Sequence, residues 1–138
     1  MITLILGRKG SGKTKRLIDM CNAATAESKG SVVFIEKDTN LTYDISRQAR
    51  LAVAEDYKIT GYDAFYGFIA GMCASNYDIT DIFVDSTIKI GGNDREELAT
   101  FIERLGELSK KADTNVVLSI SADKDDIPER IAEFAVEI

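Results

Sequence analysis

The stretch Gly7-Arg8-Lys9-Gly10-Ser11-Gly12-Lys13-Thr14 spaces glycines, a lysine and a hydroxyl as G-x-x-x-x-G-K-[ST]. The glycines let a backbone curl tightly, so that successive N–H groups can aim at phosphate oxygens without Cβ clashes. A helix opening near Lys13 adds its unpaired N–H groups and the positive end of its dipole. Lys13 suits the β- and γ-phosphates of a nucleotide, and the Thr14 hydroxyl suits Mg²⁺. Every position from Gly7 to Thr14 is therefore a candidate for binding the phosphates. Arg8, Lys9, Lys13, Lys15 and Arg16 make this a basic focus on an otherwise acidic chain.

A second candidate is Asp85, which ends the run Asp81-Ile82-Phe83-Val84-Asp85. An apolar strand ending in a carboxylate matches a Walker-B pattern, which delivers Asp85 to the Mg²⁺ already assigned to Thr14. Many hydrolases of this kind place a glutamate next, to activate water. Here Ser86 and Thr87 follow, so a base for hydrolysis must come from elsewhere. Glu36 and Asp38, in the polar turn after Ser31-Val32-Val33-Phe34-Ile35, are the candidates to orient water or hold the metal through water. Ser119 and Ser121 are candidates to sense a γ-phosphate, and Arg47 and Arg50 to reach a phosphate in the same or a neighbouring subunit.

These residues need a scaffold. Ile2-Thr3-Leu4-Ile5-Leu6 reads as a strand leading into the loop. Thr14, Leu17, Ile18, Cys21 and Ala24 then share one helical face. Residues 31–35, 81–85 and 116–120 are nearly continuous apolar runs, as expected of buried parallel strands. Residues 50–54 suit a short edge strand. Residues 61–75 form an amphipathic helix with Phe65, Phe68, Ile69, Met72 and Cys73 on its stripe. Tyr57, Tyr62 and Tyr66 lie off that stripe, where one could stack on a base. Asn93 or Asp94 caps a further helix, with Leu98, Phe101, Ile102, Leu105 and Leu108 on its apolar face. Pro128 opens a short last helix, and 134–138 is a terminal strand. The alternation predicts one domain over 1–138: a three-layer α/β fold whose central, mostly parallel sheet has helices on both faces.

Bulk properties narrow the function. The net charge of −6 argues against a general nucleic-acid binder or an anionic-membrane binder. With no histidine and no Cys-x-x-Cys, a zinc site is not expected, and Cys21 and Cys73 read as reduced core thiols. The apolar run at the start is too short for a signal peptide, and a cytoplasmic location is expected.

Over nearly its full length the chain resembles the P-loop NTPase superfamily, through Gly7 to Thr14 and, more weakly, Asp85. More narrowly, the wording from Gly7 to Met20 and the run Asp63-Ala64-Phe65-Tyr66-Gly67-Phe68-Ile69 resemble small stand-alone bacterial P-loop proteins labelled as twitching-motility-type ATPases. The resemblance implies a P-loop fold. A strand between the loop strand and the Asp85 strand would make it RecA-like, and that order is favoured. The expected function is binding of ATP or another nucleoside triphosphate with Mg²⁺, with slow hydrolysis in which Lys13, Glu36, Asp38 and Asp85 are the catalytic candidates. The alternatives are a nucleotide-gated module that scarcely turns over, acting through its own oligomer or a protein partner, and a small-molecule kinase. A GTPase is disfavoured, because Asp123-Lys124-Asp125-Asp126 matches the guanine-reading motif only loosely and Ile88 replaces its companion glycine.

Overall fold

The computed structural model describes residues 1–38 and 44–137. Among the described residues six strands form one sheet: β1 (Ile2–Gly7), β2 (Ser31–Glu36), β3 (Ala49–Val53), β4 (Ile79–Val84), β5 (Asn115–Ser121) and β6 (Ala135–Glu137). They lie in the order β3-β2-β4-β5-β1-β6, and every strand pairing is parallel. All strand C-termini therefore share one edge of the sheet, where open α/β folds place their ligands. β5 lies between β1 and β4, so one strand separates the glycine-rich loop's strand from that of Asp85.

The helices occupy both faces. α1 (Lys13–Glu27) covers one, burying Leu17, Ile18 and Cys21 against Ile5, Val32, Phe34, Phe83 and Val117. On the other face lie α2 (Tyr62–Ser75) and α4 (Arg95–Ala112). There Phe65, Ile69, Leu98, Phe101, Ile102 and Leu105 pack on Leu4, Leu6, Val33, Ile35, Ile82, Val84, Val116 and Leu118. Each sheet residue alternates in face along its strand, which is why strands buried on both sides carry unbroken apolar runs. Phe65 and Phe101 stack with centroids 4.9 Å apart and tie the two helices together. Asp94 caps α4, its carboxylate accepting from the N–H groups of Glu96 and Glu97.

Several local expectations shift. Residues 41–48 suit a helical turn or a loop by pattern, and Leu41 to Tyr43 of them lie outside the described residues, whereas the edge strand at 49–53 is present. A short helix, α3 (Thr87–Gly91), follows β4, in a stretch for which the sequence pattern gave no element. The last helix, α5 (Glu129–Ala132), begins one residue after Pro128, which serves as its N-cap. Tyr62 is not free to stack on a ligand: it is buried, 5.0 Å from the Phe101 ring, and its hydroxyl donates to the Gly92 carbonyl. Burial pushes that hydroxyl up to about 12. Tyr66 lies under the Arg104 guanidinium at 3.9 Å, and Tyr57 packs on Phe68 at 5.7 Å.

Candidate functional site

The glycine-rich loop follows β1 directly and ends in α1. Gly12 precedes the first helical residue with φ 94° and ψ 15°, and Gly10 has φ 84°, both in the left-handed region that side chains disfavour. Gly7 has a different reason. A Cβ there would collide with the Ser11 hydroxyl, which the loop folds back over the end of β1. The Ser11 N–H donates to the Arg8 carbonyl at 3.0 Å, closing the turn.

Lys13 is only 8% exposed. Its ammonium reaches back across the loop and donates to the same Arg8 carbonyl at 2.9 Å. Burial pushes this ammonium below the usual lysine value, and the negative charge of Asp85 offsets part of that shift. A cation held inside a loop, with one backbone oxygen as its hydrogen-bond partner, has donors left for an anion. Arg8 and Lys9 are exposed, and the Arg8 guanidinium turns outward to Asp123 at 3.1 Å. Arg8 thus offers the loop its carbonyl, while its charge anchors the loop to the chain beyond β5.

Asp85 sits one residue past β4 and is 6% exposed. Three hydroxyls converge on it. Thr14 Oγ1 donates to its two oxygens at 3.2 and 3.4 Å, Ser119 Oγ to Oδ1 at 2.8 Å, and Ser86 Oγ to Oδ2 at 3.2 Å. Its N–H donates to the Ile35 carbonyl at 2.9 Å, locking the ends of β4 and β2 together. The following residue, Ser86, has φ 59° and ψ 46°, a left-handed conformation that costs a non-glycine residue about 1 kcal/mol. The Ser86 N–H donates to Ser119 Oγ at 3.0 Å, which holds this turn in place.

Glu36 ends β2 beside Asp85, since Ile35 pairs with Val84. Phe34 and Phe83 both face α1, so the alternation along each strand turns Glu36 and Asp85 toward the same side, that of the α1 N-terminus. Glu36 is 2% exposed. A cavity of about 180 Å³ gathers Thr14, Glu36, Lys37, Asp38, Asp85, Ser86 and Lys89. Thr14, Glu36, Asp38 and Asp85 were separate candidates in sequence, and the fold assembles them around one small space.

Other candidates fall elsewhere. Arg47 and Arg50 flank the start of β3, at the opposite end of the strands from the loop. β3 also stands four strand spacings from β1, roughly 19 Å. Neither arginine can reach a phosphate held by its own loop. Ser119 is committed to Asp85, and a hydroxyl has only one hydrogen to donate. It therefore cannot simultaneously donate to a phosphate. Ser121 is exposed at the sheet edge. Lys37 and Lys89 carried no motif and came to the cavity only through the fold.

The donor set matches hard-cation chemistry. A hydroxyl can hand its hydrogen to Asp85 while turning lone pairs to a metal, so Thr14 and Asp85 could serve one ion together. No cluster of three or more His, Cys, Asp or Glu residues with metal-binding geometry occurs among the described residues. Mg²⁺ commonly takes one or two protein oxygens and fills the rest with water and phosphate, so that pair is enough.

Fold and site together define a three-layer α/β protein with a glycine-rich loop and, at the carboxyl edge of a parallel sheet, a small cavity lined by Glu36, Asp38 and Asp85 and by Lys37 and Lys89. No family model matches the chain, and no curated protein is significantly similar to it. No helix among the described residues is long and apolar enough to cross a membrane.

Proposed function

We propose that the chain is a RecA-like P-loop NTPase that binds ATP with Mg²⁺ and hydrolyses it slowly. One observation carries the reading: Thr14, opening the helix after the loop, donates to Asp85 from 71 positions away. That is the pairing a shared metal requires. The intervening strand β5 supports the RecA-like assignment.

In this reading Lys13 and the loop amides hold the phosphates, and Thr14 and Asp85 hold the metal. Bound Mg²⁺ would supply charge neutralisation on the phosphate oxygens. Glu36 is the base in place of the missing glutamate after Asp85. It would take a proton from a water whose oxygen bonds to the γ-phosphorus, as the bond from that phosphorus to the bridging oxygen breaks. A cavity of about 180 Å³ suits a water better than a metabolite, whose pockets run to roughly 300 Å³ or more. This disfavours the kinase alternative. The nucleotide-gated reading keeps one support, Ser86 in the position where many hydrolases carry glutamate.

Titration with ATP, GTP and ADP, with and without Mg²⁺, combined with a turnover assay on the same sample, tests both readings. Tight Mg²⁺-dependent ATP binding with measurable phosphate release is expected. If Lys13→Ala leaves nucleotide affinity unchanged, the phosphate site is lost as an idea. Affinity without release would select the gated module.

A further inference from the structure

The sheet has two outer strands, and they differ. β6 spans only three residues, ends in Glu137 and follows the exposed Glu133, so shortness and charge discourage pairing. β3 spans five residues, contains neither proline nor bulge, and has β2 on one side and no strand on the other among the described residues. Beside it, on the α2 face, runs a groove of about 670 Å³ floored by Val33, Ala52 and Ile79 and walled by Phe68 and Met72. Gly67 and Gly71 lie along the same wall, and a Cβ added at either would meet nothing within 4 Å.

The charges around β3 are arranged asymmetrically. Arg47 and Arg50 mark its beginning, and Glu55 and Asp56 follow its end. Asp44 and Lys58 soften this contrast without reversing its sign. All four contrast-forming residues are exposed, and neither Arg47 nor Glu55 has an ion pair among the described residues. A strand that is positive at one end and negative at the other is complementary to itself only when run antiparallel. Pairing about Leu51 would set Arg47 opposite Glu55 of the second copy, twice per dimer. A parallel copy would set like charges side by side.

We infer that β3 is the interface of a two-fold homodimer. Two copies join β3 edges antiparallel into one continuous sheet, with their α2 helices drawn together over the merged groove. The interface is isologous and closes at two. Edge pairing satisfies main-chain N–H and C=O groups, and the groove supplies the apolar area. Gly67 and Gly71 let a helix approach where larger side chains would hold it off. This inference does not depend on what the loop at residues 7–14 binds.

Sedimentation velocity on the full chain tests it, over a concentration series. The expected species has twice the 15.2 kDa chain mass. Arg47→Glu and Glu55→Arg should each weaken the dimer about tenfold, and the double swap should restore it. Gly71→Trp should leave the helical circular dichroism intact and the protein monomeric. A monomer at every concentration overturns the inference, as does a trimer or an open-ended series. A dimer indifferent to all of these substitutions places the contact elsewhere and equally overturns it.

Discussion

Ser119 Oγ stands 2.8 Å from Asp85 Oδ1 and accepts the Ser86 N–H at 3.0 Å, bridging a carboxylate and the strained residue after it. This makes Ser119 a positioning residue for Asp85. A hydrogen bond to a charged group contributes roughly 1.5–3 kcal/mol. Ser119→Ala should therefore weaken Mg²⁺-dependent ATP binding about tenfold, while ATP binding without Mg²⁺ changes little. Ser119→Thr, which keeps the hydroxyl, should recover most of the loss. Equal losses with and without the metal would reduce Ser119 to a packing role.

Glu36 and Asp85 border the same cavity yet should separate cleanly in kinetics. If Glu36 is the base, Glu36→Gln removes proton acceptance while preserving shape, and general bases contribute about 10²- to 10⁴-fold. Phosphate release should fall by at least about a hundredfold with ATP affinity nearly unchanged. Asp85→Asn should instead damage the Mg²⁺ dependence of binding. Undiminished release in Glu36→Gln would move the base elsewhere, with Asp38 the next residue to substitute.

Cys21 and Cys73 are buried free thiols on opposite faces of the sheet. Burial, aided by the charge of Asp81, pushes Cys21 up to about 11, and burial also raises Cys73. Both therefore remain protonated at neutral pH, and the thiolate is the reactive form. Native protein at pH 8 should react with a thiol reagent slowly at both cysteines, and rapidly once unfolded. Fast labelling of native protein would mean that α1 or α2 opens readily from the sheet.

What could be read from the sequence, and what could not, follows from the range of each interaction. The apolar runs at 31–35, 81–85 and 116–120 announce strands because burial on both faces leaves little room for polar alternation, and the observed strands cover 31–36, 79–84 and 115–121. The loop and the helix after it are local and equally legible. Tyr62 lies off the apolar stripe of its helix yet is buried, because a tyrosine can be buried whenever its hydroxyl finds a carbonyl, and Gly92 lies 30 positions away. The roles of Ser119 and Arg8 depend on partners 34 and 115 positions distant, which no local pattern encodes. Arg47 and Arg50 could be weighed against the chain's own loop only once strand order placed β3 four strands from β1.

Lys13 gives the most direct pH test of the loop. Its ammonium is pushed below the ordinary lysine value of 10.5, chiefly by burial. Between that lowered value and 10.5 the unfolded chain binds more protons at this residue than the folded one, so its contribution to stability rises with pH across the window. A bound triphosphate reverses the shift, because a polyanion against the ammonium favours its charged form. The complex then holds the proton at pH values where the free protein releases it. Binding should take up protons in that window, and ATP affinity should fall as pH rises through the lowered value. Calorimetry in buffers of different ionisation enthalpy reads the proton directly. Lys13→Met should lower affinity and abolish both the uptake and that part of the pH slope. If the slope persists in Lys13→Met, the titrating group is another residue, and the buried lysine does not meet the phosphates.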